Sequence, residues 1–284
     1  MQPGVYTITN DEYHAGKGIS RSAIMEFRKS PKHYWHKYIN TNYKKEKSKP
    51  SMEFGTMAHM FLLEPHDFDN HFAVQQNKLP LLKDVGREAY DLAKQNQSDF
   101  IEKSKGKDII TKDEYEKLVA MKNEIFSDEL TRELVEGGQY EKSIYWIDPD
   151  TELLCKVRPD IWHENFIVDY KVTLNASPYS FQRDIYKYGY HLQFAMMHEA
   201  SKYALNKEIN DFIFLPQEKT EPYLTAVYQC EQAMLEYGVK EFKNILWQIK
   251  YCIDSNYFPG YKTQLISLPT WSKKNDDSTN DIYE

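Results

Sequence analysis

Two aspartates and a lysine fall in neighbouring segments whose apolar patterns predict β-strands. Asp160 lies near the end of the first segment, Asp169 and Lys171 lie in the second, and the polar run at 163–165 forms the turn between them. Alternate side chains of a strand point to one face, so Asp169 and Lys171 share a face. If the strands pair as a hairpin, Asp160 comes near Asp169. Two carboxylates beside an ammonium can bind a hard divalent cation and orient a water.

The wider pattern of apolar periodicity and turn residues predicts how these groups are positioned. It indicates the order helix, three strands, helix, further strands. The predicted helices are at 19–38 (broken at Ser30-Pro31), 51–63, 111–135, 178–205 and 231–253, and the predicted strands are at 140–147, 153–162, 166–173, 211–216 and 223–228. Ser20 or Ser22 is the expected N-cap of the first helix.

The composition favours a globular protein without a membrane anchor. The chain has 284 residues, of which 41% are hydrophobic and 28% charged, and it contains no apolar run long enough for a transmembrane helix and no signal peptide. Its three cysteines are widely spread and form no zinc, disulfide or four-cysteine iron–sulfur pattern. We therefore expect a cytoplasmic protein.

The charge is unevenly distributed along the chain. The net charge of −7 argues against a protein that coats nucleic acid, yet residues 1–60 hold ten Lys and Arg against five Asp and Glu. Lys44 and Lys45 begin a basic run that continues with Lys47 and Lys49. Such a run is either a solvated loop or a contact for the phosphates of DNA, and Lys44 and Lys45 are candidates for that contact.

Further residues could join the carboxylates. A lone histidine in an apolar helix, such as His59, is more often a core residue, although Gly55 and Ala58 would let that helix line a narrow cleft. Glu141 is either an exposed strand carboxylate or a group that reaches the cleft of Asp160.

An arginine and two tyrosines near these segments each have two interpretations. Arg158 is either a clamp for a phosphate or an ion-pair partner. Tyr186 and Tyr190, four residues apart in the predicted helix, would share one of its faces, where core packing is the alternative to a role at the site.

Several motifs in this order resemble the PD-(D/E)xK nuclease superfamily. Pro159-Asp160 and Asp169-Tyr170-Lys171 match its signature, and the helix from Gly55 to Pro65, with His59, resembles that of RecE-type (exonuclease VIII-like) phage recombination exonucleases and their RecB-like relatives. The segments Ile19–Ala23 and 30–34, and the run ending in Gln193, are similar to further RecB-like motifs. The chain departs from the pattern at Met197, where a tyrosine is usual.

The resemblance implies a restriction-endonuclease-like α/β (α+β) core with a central mixed β-sheet flanked by helices. It implies one nuclease domain over 1–270, made of N-terminal helices lining the cleft (1–65), a helical insertion (66–138) and the catalytic core (139–270). The remaining residues, 271–284, form a polar tail that is expected to be disordered.

The resemblance also implies the roles of the site residues. Mg²⁺, with Mn²⁺ as a substitute, would be held by His59, Asp160, Asp169 and the carbonyl of Tyr170. Lys171 would position the attacking water. The other implied roles are catalytic support from Gln193 and Glu141, and DNA contacts from Ser20, Arg21, Arg158 and Tyr190.

The implied activity is a 5′-to-3′ exonuclease on linear double-stranded DNA that leaves 3′ single strands for a RecT-like annealing protein. A homo-oligomer, as a ring tetramer, is the implied assembly. The alternatives are an endonuclease or single-strand exonuclease with the same site, a non-catalytic module that binds DNA ends or protein, and a glycosidase built on Asp160 and Asp169.

Overall fold

The computed structural model describes residues 2–44, 50–75 and 79–268. The strands are β1 Gly4–Tyr6, β2 Phe72–Gln75, β3 Asp108–Thr111, β4 Gln139–Tyr140, β5 Ser143–Ile147, β6 Leu154–Val157, β7 Ile161–Trp162, β8 Phe166–Thr173, β9 Asp211–Glu218 and β10 Tyr228–Gln229. The helices are α1 Asn10–Ala15, α2 Arg21–Lys29, α3 Pro31–Tyr34, the π-helix Trp35–Ile39, α4 Pro50–Leu63, α5 Pro65–His71, α6 Leu82–Val85, α7 Arg87–Lys103, α8 Lys112–Ser127, α9 Glu129–Val135, α10 Pro178–Tyr188, α11 Tyr190–Leu205 and α12 Gln232–Asp254.

A five-stranded mixed sheet with the order β10-β9-β8-β7-β4 carries the predicted hairpin. Strands β8 and β9 are parallel, and the other neighbours in this sheet are antiparallel. A second, antiparallel sheet has the order β1-β5-β6, and β2 and β3 form a parallel pair. The predicted class, an α/β fold with a central mixed sheet flanked by helices, is confirmed.

The two faces of β8 belong to different hydrophobic cores. Ile167 packs with residues of α2, α11 and α12, whereas Val168 and Tyr170 pack with residues of α4, α8 and α9. This division follows from the alternation of side chains along a strand. The segment 66–138, predicted as a helical insertion, supplies much of the second core. It also contains the strand pair β2–β3, which was not predicted.

Two of the predicted strands are each broken in the middle. The strand predicted at 140–147 is interrupted at Glu141, whose φ is 52°. The strand predicted at 153–162 ends at Val157, and the chain resumes as β7 at Ile161 after the segment Arg158–Asp160. Pro159 has no N–H to continue a ladder, and a left-handed residue turns a strand out of its sheet. The N–H of Glu141 donates to the carbonyl of Asp160 at 3.2 Å, so the two breaks lie side by side.

The hairpin itself has the predicted form. β8 has the predicted bounds, 166–173, and pairs antiparallel with β7 so that Ile161 faces Val168. Asp160 therefore lies just before β7, beside the middle of β8.

Other elements lie outside the prediction or differ from it. Strand β1 and helix α1 were not predicted, although the capping box formed by Thr9 and Glu12 is a sequence signal for α1. The strand predicted at 223–228 is reduced to β10, and the tail at 271–284 lies outside the described residues. Within the described part of the chain, no helix is both long and apolar enough to cross a membrane.

The helix predicted at 178–205 is two helices, α10 and α11, joined by Gly189. Gly189 has a φ of 68°, in the left-handed region, and a Cβ at this position would collide with Sδ of Met25. Tyr186 and Tyr190 therefore lie on different helices, and the prediction that they share one helical face is wrong.

We expect Gly189→Ala to lower the free energy of unfolding by roughly 2–4 kcal/mol, because it combines a left-handed alanine with overpacking against Met25. Urea denaturation measures this change. Gly55→Ala is the matched control: Gly55 lies inside α4 and a Cβ there meets nothing within 4 Å. A similar loss of stability in both variants would contradict this role of Gly189.

Candidate active site

Asp160 is the centre of a cluster of polar groups at the junction of β7 and β8. Its Oδ2 accepts the N–H of Tyr170 at 2.8 Å, and it lies 3.6 Å from Nζ of Lys171 and 3.7 Å from Nδ1 of His59. The hairpin register brings Tyr170 to this carboxylate, and α4 supplies the histidine, whose ring is 5.0 Å from that of Tyr170. The predicted proximity of His59, Asp160 and Lys171 is therefore found in the structure.

Asp169 and Lys171 lie on the same face of β8, as their spacing predicts. Nζ of Lys171 is 2.6 Å from Oδ2 of the fully buried Asp169 and donates to the Tyr170 carbonyl at 3.2 Å. Gln193, on α11, donates from Nε2 to Oδ1 of Asp169 at 2.7 Å. The resemblance implied catalytic support from Gln193, and in the structure this side chain holds the carboxylate of Asp169.

The set of candidate metal ligands differs in part from the predicted one. Within the described residues, donor atoms of His59, Glu141 and Asp160 all lie within 4.8 Å of one another. Asp169 does not belong to this group, since its two oxygens face Lys171 and Gln193. Glu141, predicted only as a supporting residue, joins the donor set because its left-handed backbone turns the chain beside Asp160.

Burial and crowding shift the protonation of these groups. Burial, with the nearby charge of Asp160, raises the pKa of Glu141 to about 8, and burial raises the pKa of Asp169 to about 6 despite Lys171. Burial, and then Lys171, lower the pKa of His59 to about 3, so its imidazole is neutral at neutral pH. Although burial favours the neutral amine, Asp160 and Asp169 raise the pKa of Lys171. A neutral imidazole beside crowded carboxyl groups suits a divalent cation.

Arg158 is an ion-pair partner inside the protein. Its Nε is 2.6 Å from Oε2 of Glu141, Nη1 donates to the carbonyl of Ile8 and to Oγ of Ser143, and Nη2 is 3.8 Å from Glu64. The side chain is only 7% exposed. Of the two interpretations of Arg158 taken from the sequence, the structure therefore favours the ion-pair partner over the phosphate clamp. It is also not on one strand with Asp160, because β6 ends at Val157.

Three other residues predicted to contact DNA lie at the start of α2 (Ser20 and Arg21) and at the start of α11 (Tyr190). Oγ of Ser20 caps α2 by accepting the N–H of Ala23, and Arg21 donates to the carbonyl of Tyr188 at 2.7 Å. The ring of Tyr190 lies 5.6 Å from Arg21 Cζ and 5.4 Å from Lys171 Nζ, which places both residues beside the site.

The structure describes only the first residue of the basic run. Lys44 is exposed, and Lys45, Lys47 and Lys49 lie outside the described residues. Met197, at the position where the resemblance leads one to expect a tyrosine, is fully buried in the core.

A cavity of about 190 Å³ opens beside Glu141. Ser20, Arg21, Glu141, Arg158 and Gln193 contribute to its lining. Helix α1, which was not predicted from the sequence, closes part of this cavity. Lys156 holds the end of α1 in place, because its Nζ donates to the carbonyls of Tyr13 (2.6 Å) and Gly16 (2.5 Å). No motif around Lys156 signals these backbone contacts. Of the candidate metal ligands, Glu141 contributes to the wall of this cavity.

Comparisons with known proteins agree with this architecture. The family described as "PDDEXK-like domain of unknown function (DUF3799)" matches residues 20–268. Among solved structures, a protein from Eubacterium rectale described as a "putative exonuclease" has a TM-score of 0.57 and 14% identity, over 97% of this chain and 99% of that one. SSO0001 has a TM-score of 0.27 and 13% identity, over 76% of this chain and 99% of that one. No curated protein matches the chain. The solved structures bear on the fold alone, and only the first is similar enough to do so.

Proposed function

Because the chain belongs to the family of PDDEXK-like domains (DUF3799), we propose that it is a divalent-metal-dependent nuclease that hydrolyses phosphodiester bonds of DNA. The observation that carries the proposal is the convergence of His59, Glu141 and Asp160 within 4.8 Å beside the Asp169–Lys171 pair. Asp160, Asp169 and Lys171, which match the signature of the superfamily, thus lie together, with both aspartates buried.

The donor set fits a hard or borderline divalent cation. Two carboxylates and one neutral imidazole match the preferences of Mg²⁺ and, with the nitrogen ligand, Mn²⁺. His59, Glu141 and Asp160 would hold the ion, and Asp169 would join them if Lys171 moves away from its carboxylate. The bound cation would offset the charge that develops on phosphate oxygens and lower the pKa of a water.

The remaining residues prepare the site for this chemistry. The ammonium of Lys171 can orient the attacking water or stabilise negative charge on the phosphate. The N–H of Tyr170 fixes Asp160, and Gln193 fixes Asp169, so neither carboxylate is free to rotate. Such fixed groups lose little freedom when a substrate binds.

We further propose that the substrate is linear double-stranded DNA, degraded from 5′ to 3′, so that 3′ single strands are left for an annealing protein. The motif order shared with RecE-type exonucleases supports this choice, as does the description of the Eubacterium rectale protein as an exonuclease. A ring-shaped homo-tetramer, in the cytoplasm, would accompany this activity.

The test is a degradation assay with linear duplexes labelled at the 5′ or the 3′ end, together with a covalently closed circle of the same sequence. With Mg²⁺, we expect loss of the linear duplexes, no cleavage of the circle, and no reaction with chelator. Release of the 5′ label as a mononucleotide at the earliest times supports the proposed polarity. Cleavage of the circle would instead assign an endonuclease, and the absence of any metal-dependent cleavage would contradict the nuclease.

The raised pKa values of the acidic cluster predict a pH dependence of stability. Carboxyl groups whose pKa is higher in the folded than in the unfolded state, as for Glu141 (about 8) and Asp169 (about 6), stabilise the fold at low pH. That contribution is lost as the pH rises through the folded values. The metal-free protein should therefore become less stable between about pH 5 and 8.

A cation binds only the ionised ligands, so the stability that it adds should increase with pH. We expect Mn²⁺ or Mg²⁺ to raise the thermal unfolding midpoint more at pH 8 than at pH 6, as measured by scanning calorimetry. At each pH, the unfolding midpoint in buffer with chelator and no added cation is the reference. An equal increase at both values would contradict binding by these carboxylates.

A further inference from the structure

Helix α10 presents a row of exposed aromatic and basic side chains, which we call the α10 stripe: Tyr179, Arg183, Tyr186 and Lys187. Their spacing of three, four, seven and eight positions puts them on one face of the helix. Tyr179 and Tyr186 are 75% and 59% exposed. The opposite face is apolar, with Phe181 and Ile185 in or against the core. The ring of Tyr186 also stacks on that of His191, with centroids 5.7 Å apart, and lies 5.1 Å from Cζ of Arg28. Packing thus accounts for the buried face and for part of Tyr186, while both tyrosines still present much of their surface to solvent.

The cations of this region lie against aromatic rings. Arg183 Cζ is 5.9 Å from the ring centroid of Tyr179, and Lys187 Nζ is 4.9 Å from that of Tyr188. Neither Arg183 nor Lys187 forms an ion pair with a carboxylate of the described residues. Asp184, the one acid of α10, is half-buried. The stripe therefore presents positive charge and flat apolar surface together.

The stripe continues into the candidate active site. The helix ends at Tyr188, whose carbonyl accepts from Arg21 and whose ring is 5.8 Å from that of Tyr190. The ring of Tyr190 in turn lies 5.4 Å from Nζ of Lys171. A line of rings and cations thus runs along about 16 Å of helix and ends beside the carboxylates.

We propose that the α10 stripe binds single-stranded nucleic acid on its way to or from the site. Unpaired bases expose their faces and stack on aromatic side chains, while lysine and arginine follow the phosphates. A duplex offers mainly its phosphates and its groove edges to a helix surface, so exposed rings beside cations fit an unpaired strand better. Only the statement that this strand enters or leaves the site rests on the proposed nuclease function.

Fluorescence anisotropy with labelled oligothymidylate, in chelator so that the strand stays intact, tests the proposal. We expect each of the substitutions Tyr179→Ala and Tyr186→Ala to raise the Kd for the oligothymidylate by about tenfold or more, because each removes a ring on which a base stacks. The double variant Tyr179→Ala/Tyr186→Ala combines the two losses. Tyr179→Phe/Tyr186→Phe keeps the rings and should bind within about twofold of the wild type. The matched control is Tyr237→Ala/Tyr251→Ala on α12, where the tyrosines are similarly exposed (52% and 69%).

Four results would contradict either the stripe or the nuclease. Binding by the alanine pair within about twofold of the wild type would overturn the stripe, as would an equal loss in the α12 control. A blunt duplex whose binding weakens as much as that of the single strand would assign a general phosphate contact and overturn the stacking role. A wild-type protein that binds the single strand but never degrades DNA with Mg²⁺ would contradict the nuclease and leave the stripe supported.

Discussion

Replacing Asp160 with asparagine is expected to lower the rate of Mg²⁺-dependent DNA degradation by about a thousandfold or more. Oδ2 of Asp160 lies near His59, Lys171 and the N–H of Tyr170 at the same time. Asparagine keeps the size of the side chain but removes a charged ligand, and the charge stabilisation that a metal supplies is worth several kcal/mol. Initial rates on linear duplex DNA at saturating Mg²⁺ measure the effect.

The matched control for this variant is Glu164→Gln, in the turn of the same hairpin. The side chain of Glu164 is 88% exposed, and its nearest cation is 3.9 Å away, so the substitution should leave the rate unchanged. Burial raises the pKa of Asp160, but the ammonium of Lys171 lies 3.6 Å from its Oδ2, so urea denaturation of the metal-free variant is needed to separate a loss of folding from a loss of catalysis. An Asp160→Asn protein that retains a tenth or more of the activity would contradict the central place of this carboxylate.

Arg158→Met should lower the free energy of unfolding by about 3 kcal/mol at pH 8. The guanidinium is almost fully buried and contacts Glu141 at 2.6 Å, with Glu64 further away. Its removal leaves a carboxylate without its partner, which is costly in a low-dielectric interior. Urea denaturation at pH 8 and at pH 5 measures the change, and we expect a smaller loss at pH 5, where Glu141 can take up a proton.

The double variant Arg158→Met/Glu141→Gln tests whether the loss arises from that pair. Since the glutamine carries no charge to be left unpaired, it should recover part of the stability. If Arg158→Met instead unfolds like the wild type while DNA binding weakens and depends less on salt, the arginine acts on phosphates and the ion-pair interpretation fails.

The part of the site that could be predicted from the sequence depends on short-range periodicity. The bounds of β8 follow from its continuous apolar run, and the proximity of Asp169 and Lys171 follows from the period of a strand. The approach of Asp160 follows from the short turn before β8, since a hairpin with so few residues has little choice of register. The order of the motifs then indicates His59. No local sequence pattern shows that α4, which carries His59, packs next to the sheet.

The remainder depends on interactions between distant residues that no local pattern reports. Glu141 belongs to the donor set because its strand breaks beside Asp160, and the carboxyl group of Glu141 is paired with Arg158, 17 residues away. The break between α10 and α11 depends on Met25, which packs where a side chain of residue 189 would be. Glycine inside a periodic helix pattern is compatible with either one helix or two, and the neighbouring side chain decides between them.

Strand β1 has a practical consequence for anyone who produces this protein. The family match begins at residue 20, but β1 covers one edge of the β1-β5-β6 sheet by pairing Gly4–Tyr6 with 143–145. A fragment that starts at residue 20 would leave β5, with its buried residues Ile144 and Tyr145, as an uncovered edge. Open edges of this kind pair with other chains, so the shortened protein would tend to aggregate during expression although every candidate catalytic residue is retained.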